Sequence, residues 1–97
     1  MKIRWTSKAS SDLVRLHEHL SAVAPEAATR VTRQLARAPD KLLAFPRLGE
    51  KLEAYQPREV RTIVVGNCEL RYEIAADAIV VLRLWHCREN RSFSSDG

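Results

Sequence analysis

The chain opens on an alternation, Met1, Ile3 and Trp5 against Lys2 and Arg4, the period-two pattern of a short strand with one buried face. The period then changes. Ala9, Leu13, Leu16, Leu20 and Val23 recur at steps of three and four, which predicts a helix over about residues 8–23. Thr6-Ser7 supplies hydroxyl caps, and Asp12 is expected to favour the positive end of that helix. Pro25 suits the first turn of a second helix that buries Ala28, Val31, Leu35, Ala38 and Leu42. Pro39 lies inside this pattern and predicts a kink, because it cannot donate to the carbonyl four residues back. Pro46 and Gly49 end the helix. So short a joint between two amphipathic helices predicts an antiparallel hairpin.

Residues 47–58 carry charges, Gly49 and Pro57, and read as a loop. From Glu59 the period returns to two. Val60, Thr62 and Val64 alternate with Arg61, Ile63 and Val65, up to Gly66-Asn67, a dipeptide suited to a tight hairpin turn. The next strand sets Leu70, Tyr72 and Ile74 against Glu69, Arg71 and Glu73. A turn over Ala75–Ala78 leads to Ile79–His86, apolar on both faces, as expected of a covered strand. Pairing Leu70, Tyr72 and Ile74 with Leu84, Leu82 and Val80 builds one apolar face. That register sets Cys68 opposite His86 and puts the thiols of Cys68 and Cys87 on different faces, so no disulfide is expected. Glu69, Arg71, Glu73 and Arg83 then share the other face, where ion pairs can form.

The expected architecture is α+β: a strand, an antiparallel helical hairpin, then a three-stranded antiparallel meander, with the helices on one face of the sheet. At 97 residues, residues 1–91 make one domain, and the small, polar segment 92–97 reads as a flexible tail. No apolar run approaches the ~20 residues of a membrane span, and the start lacks the apolar stretch of a signal peptide. The cytoplasm is the expected location, with no membrane partner. Cys68 and Cys87 lack metal-site spacing, and neither metal nor cofactor is expected. The net charge of +4 is uneven: residues 1–56 hold ten Lys/Arg against six Asp/Glu, whereas residues 57–97 hold six of each. Twelve of the sixteen cations are Arg, which suits phosphate or carboxylate partners.

In its order of elements and in several motifs, the chain resembles the RelE/ParE superfamily of bacterial toxins from about Ile3 to Arg91. The motifs are Phe45-Pro46-Arg47-Leu48-Gly49, Arg58-Glu59-Val60-Arg61 running to Gly66, Leu70-Arg71-Tyr72, and Val80-Val81-Leu82-Arg83-Leu84-Trp85-His86 followed by Cys87-Arg88-Glu89. The resemblance implies the toxin of a type II toxin–antitoxin pair, with a cognate antitoxin whose disordered part folds over it. It offers two activities. RelE-like members cut mRNA on the ribosome, which needs a group to take the 2′-hydroxyl proton, cations for the phosphorane and a proton donor for the leaving oxygen. ParE-like members bind and poison DNA gyrase.

The residues favour the ParE-like branch. Glu69 stands where RelE-like chains often carry Arg, Lys51 is the only lysine after residue 45, and the place of a catalytic Tyr holds Phe93 or Ser94. The preferred reading therefore has no catalytic residue. Target binding falls to Arg58, Arg61, Arg83, His86 and Arg88. The alternative is a metal-independent endoribonuclease with His86, Arg61 and Arg88, and Glu59 or Glu69 completing an acid–base set. A third reading is a remnant that keeps its antitoxin and has lost its target activity. His86 ends an apolar face, and taken alone it is read first as a histidine at the edge of the core, bonded to a neighbouring carbonyl or carboxylate. Arg30, Arg33, Arg37 and Lys41 make a stripe with no acid between Glu26 and Asp40, suited alike to an acidic antitoxin segment or to nucleic acid. With Leu13 they form the expected antitoxin-binding set.

Overall fold

The computed structural model describes residues 1–87. Its elements are β1 (Lys2–Trp5), α1 (Ser7–Ser21), α2 (Pro25–Arg37), α3 (Asp40–Ala44), β2 (Glu50–Lys51), β3 (Val60–Val65), β4 (Cys68–Ile74) and β5 (Ala78–His86). The expected tail, 92–97, lies outside the described residues, as do Arg88 and Phe93. The strands form one sheet in the order β1-β5-β4-β3-β2. β3, β4 and β5 are the antiparallel meander. β1 adds parallel to β5, and β2 adds antiparallel to β3. The loop expected over 47–58 is thus corrected: it contains the edge strand β2, between single 3-10 turns at Pro46–Leu48 and Glu53–Tyr55.

Thr6 starts α1 by a double contact. Its hydroxyl accepts from the Ala9 N–H at 3.0 Å and donates to the Leu82 carbonyl at 3.0 Å, so the cap also joins the helix to β5. Pro39 does more than kink the second helix. α2 ends at Arg37, Pro39 precedes α3, and Leu35, Ala38 and Leu42 stay buried on both sides of the break. Val23, expected on the buried stripe, is 83% exposed because α1 has already ended at Ser21.

One layer of core lies between helices and sheet. It joins Ala9, Leu16, Leu35, Ala38 and Leu42 to Cys68, Leu70, Tyr72, Ile79, Val81 and Leu84. The expected register holds at one end of the last hairpin, with Cys68 opposite His86 and Leu70 opposite Leu84. It is corrected at the other. A bulge at Leu82 sets Tyr72 opposite Val81 and Ile74 opposite Ile79, so Ile79 and Val81 take the core positions expected of Val80 and Leu82. Cys68 is buried, Cys87 is exposed, and both thiols are free.

Asp12 is not an end-of-helix acid. It is 2% exposed, on the buried stripe of α1 with Ala9 and Leu16. Its carboxylate accepts from the Leu84 N–H at 2.9 Å, from Arg83 Nε at 2.8 Å and from Arg15, whose other nitrogen donates to the Leu84 carbonyl at 3.1 Å. β1 pairs with β5 only as far as Val81, so Asp12 and Arg15 serve the backbone of Leu84 where β1 has ended. At the other end of the sheet, the Tyr72 hydroxyl donates to the Pro46 carbonyl at 2.6 Å and accepts from the Gly49 N–H at 2.9 Å. A Cβ on Gly49 would lie 2.7 Å from the Thr62 carbonyl oxygen and 2.9 Å from that hydroxyl, so only glycine allows the close approach.

Asp12→Ala strands a buried guanidinium and a backbone N–H, and a loss of about 3–5 kcal/mol is expected in urea denaturation. Asp12→Asn keeps an acceptor for Leu84 and should lose less. Burial pushes the Asp12 carboxyl up, but the hydrogen bonds from Arg83, Leu84 and Arg15 outweigh it and hold the group below 3.8. The stability this lowering supplies is complete above the unfolded value and drains away as pH falls through the folded one. Urea midpoints should therefore drop below about pH 4, and Asp12→Asn should remove that part of the slope. Gly49→Ala should cost about 1–3 kcal/mol by overpacking, read as a lowered urea midpoint.

Candidate functional site

Around the meander four arginines come together and each meets an acid. Arg58 donates to Glu73 at 2.8 Å. Arg61 pairs with Glu59 at 3.1 Å and donates to the Gly49 carbonyl at 2.7 Å. Arg83 is 8% exposed and bound to Asp12. Arg71 lies 3.5 Å from Glu69, donates to the Tyr55 hydroxyl at 2.8 Å, and stacks 4.6 Å from the centroid of Trp85. Arg83 stacks on the same ring at 5.2 Å, which completes a layered Tyr55–Arg71–Trp85–Arg83 column whose last member also reaches Asp12 of α1. Of the five cationic or histidine positions expected to meet a target, Arg83 is held inside the fold and Arg61 is largely covered. Arg58 is at the surface and His86 is half-buried. Arg88 lies outside the described residues.

The helices show the opposite state. Arg30, Arg33 and Arg37 of α2 and Lys41 of α3 are all exposed, and among the described residues none has an acidic partner within salt-bridge distance. They line an open groove of about 700 Å³ floored by Ala38 and Val65, with Glu26 at its far end. A second groove of about 490 Å³ shares Gln34, Ala38, Lys41 and Val65 with the first and runs on past Leu48 to β3. Leu13 lies apart from both, beside Val14, His17 and Thr32 on the outside of the hairpin. The basic stripe is thus one continuous wall, and Leu13 is not part of it.

Comparison with known proteins decides the family. The family model described as ParE toxin of type II toxin-antitoxin system, parDE, matches residues 3–91. The chain belongs to the ParE toxin family. It is 29% identical over 85 residues to Toxin RelE2 of Caulobacter vibrioides, covering 88% of this chain and 93% of that protein. In fold it is similar to a chain of the chromosomal ParDE TA system from P. aeruginosa, with a TM-score of 0.74 and 22% identity, over 89% of this chain and 95% of that one.

Within this family member, Arg61 and His86 of the endoribonuclease reading stand apart. Arg61 stands opposite Tyr72 and His86 opposite Cys68, four steps along β4, or roughly 13 Å along the strands and two strands apart. Glu69 projects from the face of β4 opposite to Cys68 and Leu70, away from His86. Partial burial raises the Glu59 carboxyl, but hydrogen bonds from Arg61 and Arg47 hold it below the usual carboxylate range. It is a counter-ion at neutral pH, far from the value that suits a general base. Among the described residues, no three His, Cys, Asp or Glu side chains are placed to hold a metal ion. No helix among them is long and apolar enough to cross a membrane.

Asp12 is the residue that pattern reading misplaced. Its signal was present: it falls between Ala9 and Leu16 on the apolar stripe, and Arg83 is the only charge in the apolar run from Ile79 to Trp85. The two sets of cations should separate on mutation. Arg83→Ala should lower stability by about 3–5 kcal/mol, because it leaves Asp12 charged in a buried place. Arg33→Glu should stay within about 0.5 kcal/mol of the parent, since it breaks no contact. Thermal or urea unfolding of the two variants checks both.

Proposed function

We propose that this toxin inhibits DNA gyrase by binding it, in the cytoplasm and without chemistry of its own, and that a cognate antitoxin neutralises it by seating an acidic segment along Arg30, Arg33, Arg37 and Lys41. Residues 1–91 act as one toxin domain in this reading. The carrying observation is the division of charge. Arg58, Arg61, Arg71 and Arg83 have acids within the chain, whereas the α2 and α3 cations have none among the described residues and face an apolar-floored groove. Unpaired guanidinium groups beside apolar floor suit carboxylates on a segment that folds as it binds. Leu13, on the outer side of the hairpin, is left to a second contact of the same antitoxin.

The target-facing set narrows to Arg58, His86 and Arg88, because Arg61 and Arg83 are committed to Glu59, Gly49 and Asp12. The distance between Arg61 and His86 supports binding over RNA cleavage, since acid, base and phosphate clamp must converge on one phosphodiester. The expected result is that purified gyrase, titrated with the toxin, loses DNA supercoiling and accumulates cleaved DNA, and that added antitoxin restores activity. Arg88→Ala should abolish the inhibition and leave antitoxin affinity within about twofold, since this reading seats the antitoxin on α2 and α3. Untouched supercoiling, with mRNA cut on ribosomes, would overturn the gyrase reading.

A further inference from the structure

We infer that the antitoxin's acidic segment docks on the free edge of β3 as an added strand, with its carboxylates turned toward α2. This rests on the antitoxin reading above and specifies how the groove is filled. β2 is only two residues long and pairs with Arg61 and Thr62 alone. The Leu52 N–H donates to the Val60 carbonyl, so the even residues of β3 point their backbone groups away from β4. Val65, by contrast, pairs with Cys68 across the Gly66-Asn67 turn. The N–H and C=O of Val64 therefore face outward just past the end of β2, with no strand beside them among the described residues.

Sheet edges are ordinarily guarded by lysine, proline, a bulge or a covering element. This one is not. Val64 is 79% exposed and Leu48, across the same groove, is 56% exposed. The wall above this edge is Lys41, and through the shared Gln34 and Ala38 it continues to Arg37 and Arg33. A strand laid against Val64 alternates its side chains. Those opposite Ile63 and Val65 turn to the helix side, where the unpaired cations stand. Those opposite Val64 turn to the other side, against its exposed isopropyl group. The occupant is thus a short extended segment, three or four residues in contact, alternating acidic and apolar positions.

The test is amide hydrogen exchange on isotopically labelled toxin, free and bound to its cognate antitoxin. The Val64 amide should slow at least tenfold in the complex. Val64→Pro, at an edge position whose N–H has no partner among the described residues, should keep the fold by circular dichroism and weaken antitoxin binding at least tenfold, whereas Val64→Thr should stay within twofold. If Val64 exchanges equally fast in both states while Arg33→Glu with Arg37→Glu still weakens binding, the strand is wrong and the antitoxin sits on the stripe alone, for example as a helix. If those charge reversals also change nothing, the acidic-segment reading falls, and the strand with it.

Discussion

The buried carboxylate of Asp12 is the contact on which the rest of the arrangement depends. β1 must leave the sheet after Trp5 so that the chain can become α1, and its departure exposes the flank of β5 beyond Val81. An unserved backbone N–H there, under the helices, would cost about 1–3 kcal/mol. The first turns of α1 stand in for the missing strand: Thr6 serves Leu82, Asp12 serves the Leu84 N–H, and Arg15 serves the Leu84 carbonyl. A buried ion pair by itself is weak grounds for stability, because desolvation offsets most of the attraction. Here the carboxylate also accepts from a backbone donor, and so it sets where α1 lies along β5. The position of α2, packed on α1, follows from it.

That contact also explains why Arg61, Arg71 and Arg83 are poor candidates for a partner, while Arg58, paired at the surface, stays accessible. Arg83 is needed to neutralise Asp12, and Glu59, Glu69 and Glu73 are matched in turn by Arg61 with Arg47, Arg71 and Arg58. Within the described part of the second half, three acids, Glu59, Glu69 and Glu73, are answered by arginines of the same segment, and Arg83 takes its acid from α1. The surplus lies in the first half of the chain, and the structure gathers much of it on the wall of one groove. Net charge alone could not distinguish an arginine-rich binding sheet from an arginine-rich binding helix.

Much of this fold was legible because period and cap coincide. The stripe of α1 follows Thr6, the turn at Gly66-Asn67 separates two alternating runs, and the pairing of Cys68 with His86 follows from keeping Leu70 and Leu84 together. The bulge at Leu82 was hidden for a physical reason. β5 is apolar on both faces, so a shift of one residue exchanges Val80 and Leu82 for Ile79 and Val81 with no polar group moved into the core. β2 was hidden because two residues carry no period. The candidate site was half legible: the stripe on α2 could be read from spacing, but not which cations would be spent inside the molecule, since that depends on tertiary neighbours of Glu59, Glu69 and Asp12.

The surface left over is costly for a free protein. Arg30 and Arg33, and Arg33 and Arg37, are neighbours at helical spacing on α2, and each like-charged pair opposes the helix by about 0.2–0.5 kcal/mol. An open strand edge carrying Val64 invites pairing with any extended chain. Both burdens lie on the same groove, and each is relieved by one kind of occupant, because carboxylates on alternate positions of a strand answer the cations while its backbone answers the edge. Among the described residues the buried charges Asp12 and Arg83 are matched to each other, while the cations of this groove stand without an acid. The simplest physical account is that the protein's most stable state includes a partner.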